Sequence, residues 1–269
     1  MLYTVKCVPG LRVRDLGFRE PVILASRISA CYSFRMCGRA TVINPDGIES
    51  RVYGFTKTFI PSDWKPRYNL NPREDIPAVH VDPVSGDRVL RPMHWNLIPS
   101  HIGSRAKAAE FDSQYSTFNA KIERAASAPT YRNSWRRQRC LVLVDGIIEW
   151  VGAKGQKTPH LIRHRAGNSF AMAGLCSVCR DDSSDALWSC TIVIGPSDEW
   201  YGRFHHRMAI VLRPELYEQW LDPDMVEAER VRALLEESPF PFAEEMDAIP
   251  ISKRVNNPRY DAPDCLEVA

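Results

Sequence analysis

The chain has 269 residues, 44% of them hydrophobic, enough for a substantial core and for one large domain or two small ones. The formal net charge is only +2, so overall charge gives no argument for a nucleic-acid partner. Eight irregularly spaced cysteines in a chain too long for a disulfide-stapled miniprotein read as reduced thiols of a cytoplasmic protein, and no apolar run nears the roughly 20 residues of a membrane span.

Residues 1–36 are rich in arginine, poor in acids and without the apolar core of a secretory signal. They faintly resemble a transit peptide, and fit a non-functional leader or a start placed too far upstream equally well. From Met36 onward the chain reads as many short strands with few helices. CLVLVDGIIEW (140–150) reads as one buried strand ending in a turn and an acid. HLIRH (160–164), SFAMAGL (169–175), CTIVIG (190–195) and MAIVLR (208–213) read as further strands between loops rich in Gly, Pro, Asp and Ser. Helical patterns cover 129–138, Glu215–Leu221 behind Pro214, and 225–237. The tail after about residue 250 reads as packed irregular structure. Strands without a βαβ rhythm predict an α+β fold on a largely antiparallel, curved sheet. Between Lys121 and Arg139 six basic residues face one acid, Glu123. Such a stretch either tracks a phosphate backbone or is a solvated helix face. The C-x-x-C of Cys176 and Cys179 lacks a second ligand pair and reads as a buried strand end rather than a zinc site.

Four places carry possible chemistry. Met36-Cys37-Gly38-Arg39 would expose Cys37 as the first residue if translation began at Met36. An α-amine with a pKa near 8, beside a thiol, can condense with an aldehyde: the amine gives a Schiff base and the thiol closes a five-membered thiazolidine. The alternative is a small buried cysteine. Asn119 in FNAKIE can bond an amine or a sugar hydroxyl, and Lys121 a phosphate; otherwise Asn119 is a turn residue before a helix. Glu149 ends an apolar run, where desolvation suits a general acid or base, and Trp150 can stack on a base; the alternative is an acid at a solvated strand end. His205 and His206 suit proton transfer, and in a strand only one of them faces a given site; a buried structural histidine competes.

In order along the chain, MCGR (36–39), RYNLNP (67–72), WNLIP (95–99), FNAKIE (118–123), RCLVLVDGIIEW (139–150), HLIRH, SFAMAGL, HHRMAIVL (205–212) and VNNPRYDAPDCL (255–266) resemble the SOS response-associated peptidase family, the abasic-site processing proteins. Residues 37–266 then form the family's domain, behind a leader of 1–36. The resemblance implies a single α+β domain around a curved, barrel-like, mainly antiparallel sheet with flanking helices and a positively charged groove. It implies covalent capture of abasic sites in single-stranded DNA during the SOS damage response, by a monomer that meets the nucleoid through its substrate. Cys37 falls at the nucleophile, Asn119 at the active-site asparagine, Glu149 at the acid–base glutamate and His205 at the histidine. Arg39, Asn69, Pro72, Lys121 and Trp150 fall at positions lining the DNA groove. Every step uses side chains and the α-amine, so neither cofactor nor metal is called for. A weak lyase activity at the imine stage, and a peptidase acting on the protein's own N-terminus, accompany this reading. A thiol peptidase using Cys37 and His205, and a non-covalent single-stranded DNA-binding module, stand as alternatives.

The chain departs from the family pattern in places. It has Gly-Ile-Ile-Glu-Trp for Gly-Phe-Tyr-Glu-Trp, Ala209 for a proline, Asn96 for a glycine, His101 for a tryptophan and Lys121 for an arginine. With residues 1–36 attached, Cys37 has no free α-amine. A start at Met36 is the preferred account, ahead of proteolytic removal or an inactive relative.

Overall fold

The computed structural model describes residues 38–269 apart from 45–47, 154, 181–185 and 238. Expectations about Cys37 and the leader lie outside the described residues. The elements run β1 (Ala40–Val42), α1 (Ser50–Tyr53), β2 (Lys57–Thr58), β3 (Arg67–Leu70), β4 (Asp75–Val81), β5 (Arg88–Trp95), α2 (Arg105–Gln114), β6 (Asn119–Lys121), α3 (Ile122–Ala125), α4 (Arg132–Arg137), β7 (Arg139–Val144), β8 (Gly146–Val151), β9 (Thr158–His164), β10 (Phe170–Cys179), β11 (Leu187–Pro196), β12 (Arg207–Ala209), β13 (Val211–Leu212), α5 (Tyr217–Leu221), α6 (Ala228–Glu237), α7 (Phe242–Glu245) and β14 (Met246–Pro250).

Strands order as β14-β9-β8-β1-β3 in one sheet, antiparallel throughout. The other sheet runs β12-β11-β10-β7-β4-β5-β2, with β6 on β11 and β13 on β10. A further pairing of β11 with β5 closes β4, β5, β11, β10 and β7 into a ring. The expected α+β fold on a curved sheet is present. The large sheet is mixed, however, because β5 and β6 run parallel to β11, and β2 parallel to β5.

Residues of β7 are buried on both faces, which is why that segment reads as a continuous apolar run. Cys140, Val142 and Val144 join one core cluster with Trp95, Met172 and Ile192. Leu141 and Leu143 join another, covered by Trp135 of α4, Trp220 of α5 and Leu235 of α6. Gly174 of β10 lies opposite Cys140, and a Cβ there would sit 2.7 Å from the Cys140 sulfur and 2.6 Å from Val142 Cγ2. Glycine is what lets β7 and β10 pack so closely.

The segment 140–150 is two strands rather than one. The chain leaves the large sheet at Val144 and enters the small one at Gly146, with Asp145 between. Asp145 makes that crossing stable: its carboxylate accepts from the backbone N–H groups of Ile43 and Asn44 and from the Ser169 hydroxyl. Likewise 208–213 is split at Ile210, giving β12 on β11 and β13 on β10. Cys176 and Cys179 are both buried in β10 but belong to different clusters, as residues three apart in a strand must. Among the described residues no group of three His, Cys, Asp or Glu side chains is arranged to hold a metal, and no helix is long and apolar enough to cross a membrane.

The tail is packed irregular structure, as expected. Ile251, Val255 and Cys265 cover Ile148 of β8 and Leu161 of β9.

Candidate active site

Alternation along β8 decides where its polar residues point. Ile147 and Glu149 share the face toward the main core, while Ile148 and Trp150 face the tail. Glu149 is 5% exposed, and its Oε1 accepts from the Tyr201 hydroxyl at 3.0 Å. A carboxylate at this depth is tolerated because it is hydrogen-bonded. It is therefore not the acid of a solvated strand end. Directly across the ladder from Glu149 is His160 of β9, whose Nδ1 lies 3.1 Å from the Thr158 carbonyl and whose ring packs 5.7 Å from Phe204. Cross-strand partners project to the same face, so His160 borders the same space.

His205 reaches this region from a turn, not from a strand. Tyr201–Arg203 form a 3-10 turn, and the Tyr201 carbonyl accepts from His205 N at 3.2 Å. Since His205 and His206 precede β12, their rings do not alternate across a sheet; they lie 4.3 Å apart, tilted by 34°. This corrects the expectation that they point apart. His205 Nδ1 is 3.0 Å from Arg207 N and 3.2 Å from Arg207 O. As acceptor it leaves the proton on Nε2; as donor it serves the carbonyl. Burial lowers the His205 pKa, and the charges of His206 and Lys157 lower it further against the opposing carbonyl of Arg207. Neutral imidazole, able to take a proton, is the form this site holds at neutral pH.

Asn119 opens β6 rather than a helix and is half-buried. Its register partner is Ile192, which belongs to the main core cluster, so Asn119 projects to the side that Glu149 occupies. Lys121 is exposed and stands at the N-cap position of α3 without a side-chain capping bond.

A second group gathers on the tail side of the small sheet. Arg39 lies over the Trp150 ring, 5.5 Å from its centroid, and its Nη1 donates to Asn69 Oδ1 at 2.6 Å and to the Val255 carbonyl at 2.7 Å. Trp150 Nε1 donates to Asn256 Oδ1 at 2.7 Å. Asn69 is fully buried, and its amide donates to the carbonyls of Val255, Asn257 and Tyr260. Its side chain is thus spent inside the protein, holding Arg39 and the tail, instead of facing a groove. Pro72 is half-buried in the turn before Arg73, a residue with φ of 74°. Tyr201 therefore touches Glu149 through its hydroxyl and the His205 backbone through its carbonyl, while Arg39, Asn69 and Trp150 gather against the tail.

The basic stretch 121–139 also divides. Lys121, Arg124, Arg132, Arg136 and Arg137 are exposed. Arg139 is buried and donates to the carbonyls of Trp135, Arg136, Trp220 and Asp222, and burial pulls its pKa down to about 10. Glu123, the one acid of the stretch, pairs with Arg207. Of the departures, Asn96 is buried and has a clear structural task. Its Oδ1 accepts from Thr117 N at 2.6 Å, and its Nδ2 donates to Asp112 at 2.7 Å and to the Tyr115 carbonyl at 3.0 Å. Sequence reasoning did not reach Tyr201 or His160. The period-two pattern of β9 could have placed His160 beside Glu149; nothing local marks Tyr201.

A family model described as SOS response associated peptidase (SRAP) matches residues 36–258. The abasic site processing protein YoqW of Bacillus subtilis is 27% identical over 234 residues, covering 86% of this chain and 99% of that protein. The abasic site processing protein HMCES of Gallus gallus is 29% identical over 230 residues, covering 76% of this chain and 66% of that protein. A crystal structure of a Bacteroides thetaiotaomicron protein superposes with a TM-score of 0.64 at 25% identity, covering 77% of this chain and 88% of that one. A Bordetella bronchiseptica protein gives 0.65 at 22% identity, covering 80% and 100%. With its family model matched across 36–258, the chain belongs to the SOS response-associated peptidase family.

Proposed function

We propose that this protein processes abasic sites in single-stranded DNA by covalent capture, through a thiazolidine formed on Cys37 as the first residue of the mature chain. The observation that carries the reading is a buried carboxylate, Glu149, held by Tyr201 on the turn that leads to His205. The relatives' names supply the substrate class. Cys37 is two residues ahead of Arg39, whose carbonyl accepts from Ile148 N, next to Glu149.

The atoms balance as follows. The abasic sugar opens to its aldehyde, with neutral His205 accepting and returning the proton. The α-amine of Cys37 adds to C1′ to give a carbinolamine, and Glu149 moves the protons as water leaves and the imine forms. The thiol adds across the C=N bond, its proton passing to nitrogen, and closes the ring. Aldehyde plus aminothiol thus gives thiazolidine plus water. Asn119 holds the sugar in attack geometry. Lys121 meets phosphate as a point charge, Trp150 and Pro72 offer apolar surface, and Arg39 is oriented by buried Asn69. At the imine stage β-elimination competes, which gives a weak lyase side reaction. The chemistry needs a free α-amine, so any residue ahead of Cys37 blocks it.

The test uses the chain beginning at Cys37 and single-stranded DNA with one abasic site. A band that survives denaturation and heating is expected, and Cys37→Ser should lose it. An equal heat-stable adduct from Cys37→Ser would overturn the thiazolidine. Peptide cleavage without any adduct would favour a thiol peptidase, and reversible binding alone a plain single-stranded DNA module.

A further inference from the structure

We propose that Tyr201 is the positioning residue of the Glu149–His205 pair, its hydroxyl fixing the carboxylate and its backbone carbonyl fixing the histidine. The two bonds are Tyr201 Oη to Glu149 Oε1 at 3.0 Å and His205 N to Tyr201 O at 3.2 Å. This rests on the roles given above to Glu149 and His205.

Everything around Tyr201 limits its movement. The residue has no exposed surface, and its ring meets Phe204 and Phe242 edge-on at 6.0 and 5.5 Å. Its backbone N–H donates to Asp198 Oδ1 at 2.6 Å, and the Asp198 carbonyl accepts from Gly202 N at 2.9 Å. A phenol on a pinned turn has two torsions, and packing sets both. The Glu149 oxygen it bonds is therefore held at one place, pre-organised for proton transfer. A hydroxyl donor also favours the ionised carboxylate over the acid, which keeps Glu149 able to accept a proton. The same residue also accepts from His205 N, so one residue touches Glu149 through its side chain and the start of the His205 segment through its backbone. The two anchored residues are otherwise far apart in sequence.

The experiment is Tyr201→Phe in the chain beginning at Cys37, which keeps the ring and removes the donor. Two readouts are taken: the titration of the Glu149 carboxyl carbon by NMR, with Glu149→Gln identifying the resonance, and the pH profile of the single-turnover cross-linking rate. Phe242→Leu serves as a packing control that keeps the hydroxyl. In Tyr201→Phe the carboxyl midpoint and the acid limb of the rate profile should both move up by about one pH unit. The rate at pH 7 should fall about tenfold, with affinity for undamaged single-stranded DNA unchanged. An unmoved carboxyl titration overturns the proposal whether or not adduct forms. Equal shifts in Phe242→Leu also overturn it, since loosened packing would then suffice. A moved titration in a protein that never forms adduct supports the Tyr201–Glu149 link and overturns covalent capture, so the two failures are distinct.

Discussion

His80 shows how strongly this interior can act on one side chain. It is 1% exposed, its ring lies 4.4 Å from that of Trp188, and Arg91 Nε donates to its Nε2 at 2.9 Å. Since Nε2 accepts, Nδ1 carries the proton and donates to the Val81 carbonyl at 3.0 Å. Burial, then the Arg91 charge, push its pKa down to about 4, against the opposing Val81 bond and Asp82. The folded value is below the unfolded one, so the unfolded chain binds the proton first as pH falls. Stability from this residue is intact above about pH 6.5 and declines from there toward pH 4. By pH 4.5 the loss is about 2–3 kcal/mol, and His80→Gln should remove most of it in urea unfolding compared at pH 7 and 4.5. An undiminished pH dependence in His80→Gln would count against it. At this scale the sequence displays residue types but not partners. Glu149 stands out there as an acid after an apolar run. That Tyr201 reaches it cannot be read from a segment 52 positions away. Asn69 looks equally fit for DNA or for the interior, because an amide carries no local mark of its direction.

The tail and the small sheet are bound by a few side chains. Asn69 donates to three tail carbonyls, and Asp261 accepts from the Tyr68 and Asn69 backbone N–H groups at 2.6 and 2.8 Å. Asn69→Ala removes the amide donor to those carbonyls and one acceptor of the Arg39 guanidinium, and should cost about 2–4 kcal/mol in denaturant unfolding. A cost under about 0.5 kcal/mol would show that water replaces the amide without loss. Strands with long apolar runs, such as β7, β10 and β11, are plain in the sequence because burial on both faces leaves few polar positions. Strands β4 and β5 are not. Each has an internal proline, and Pro77 and Pro92 face each other across the ladder where neither can donate. Helix α2 is hidden for another reason: RAKAAEFDSQ is polar nearly all round and buries only Ala108, so it has no apolar stripe. Asp145 looks like an end to a strand and is a crossing between sheets, which only a tertiary partner such as Ile43 N could reveal.

For the whole molecule, a net charge of +2 conceals an uneven distribution. Lys121 is exposed and Arg139 is buried in a nest of carbonyls, although both belong to one basic stretch. Lys121→Glu should weaken non-covalent single-stranded DNA binding severalfold and flatten its salt dependence, with unfolding unchanged. Arg139→Leu should do the reverse, costing about 3 kcal/mol of stability and leaving the salt slope intact. Equal effects of the two on DNA affinity would refute this division. The bond from Arg39 to the Val255 carbonyl also has a consequence in time. It spans 216 residues, so the two partners are made at opposite ends of the domain's synthesis. At about 5–20 residues per second, the interval is on the order of ten to forty seconds. During that interval a nascent chain already contains Arg39 but not the carbonyl that will seat it. The seat of Arg39 against the tail is therefore among the last parts of the domain to be completed.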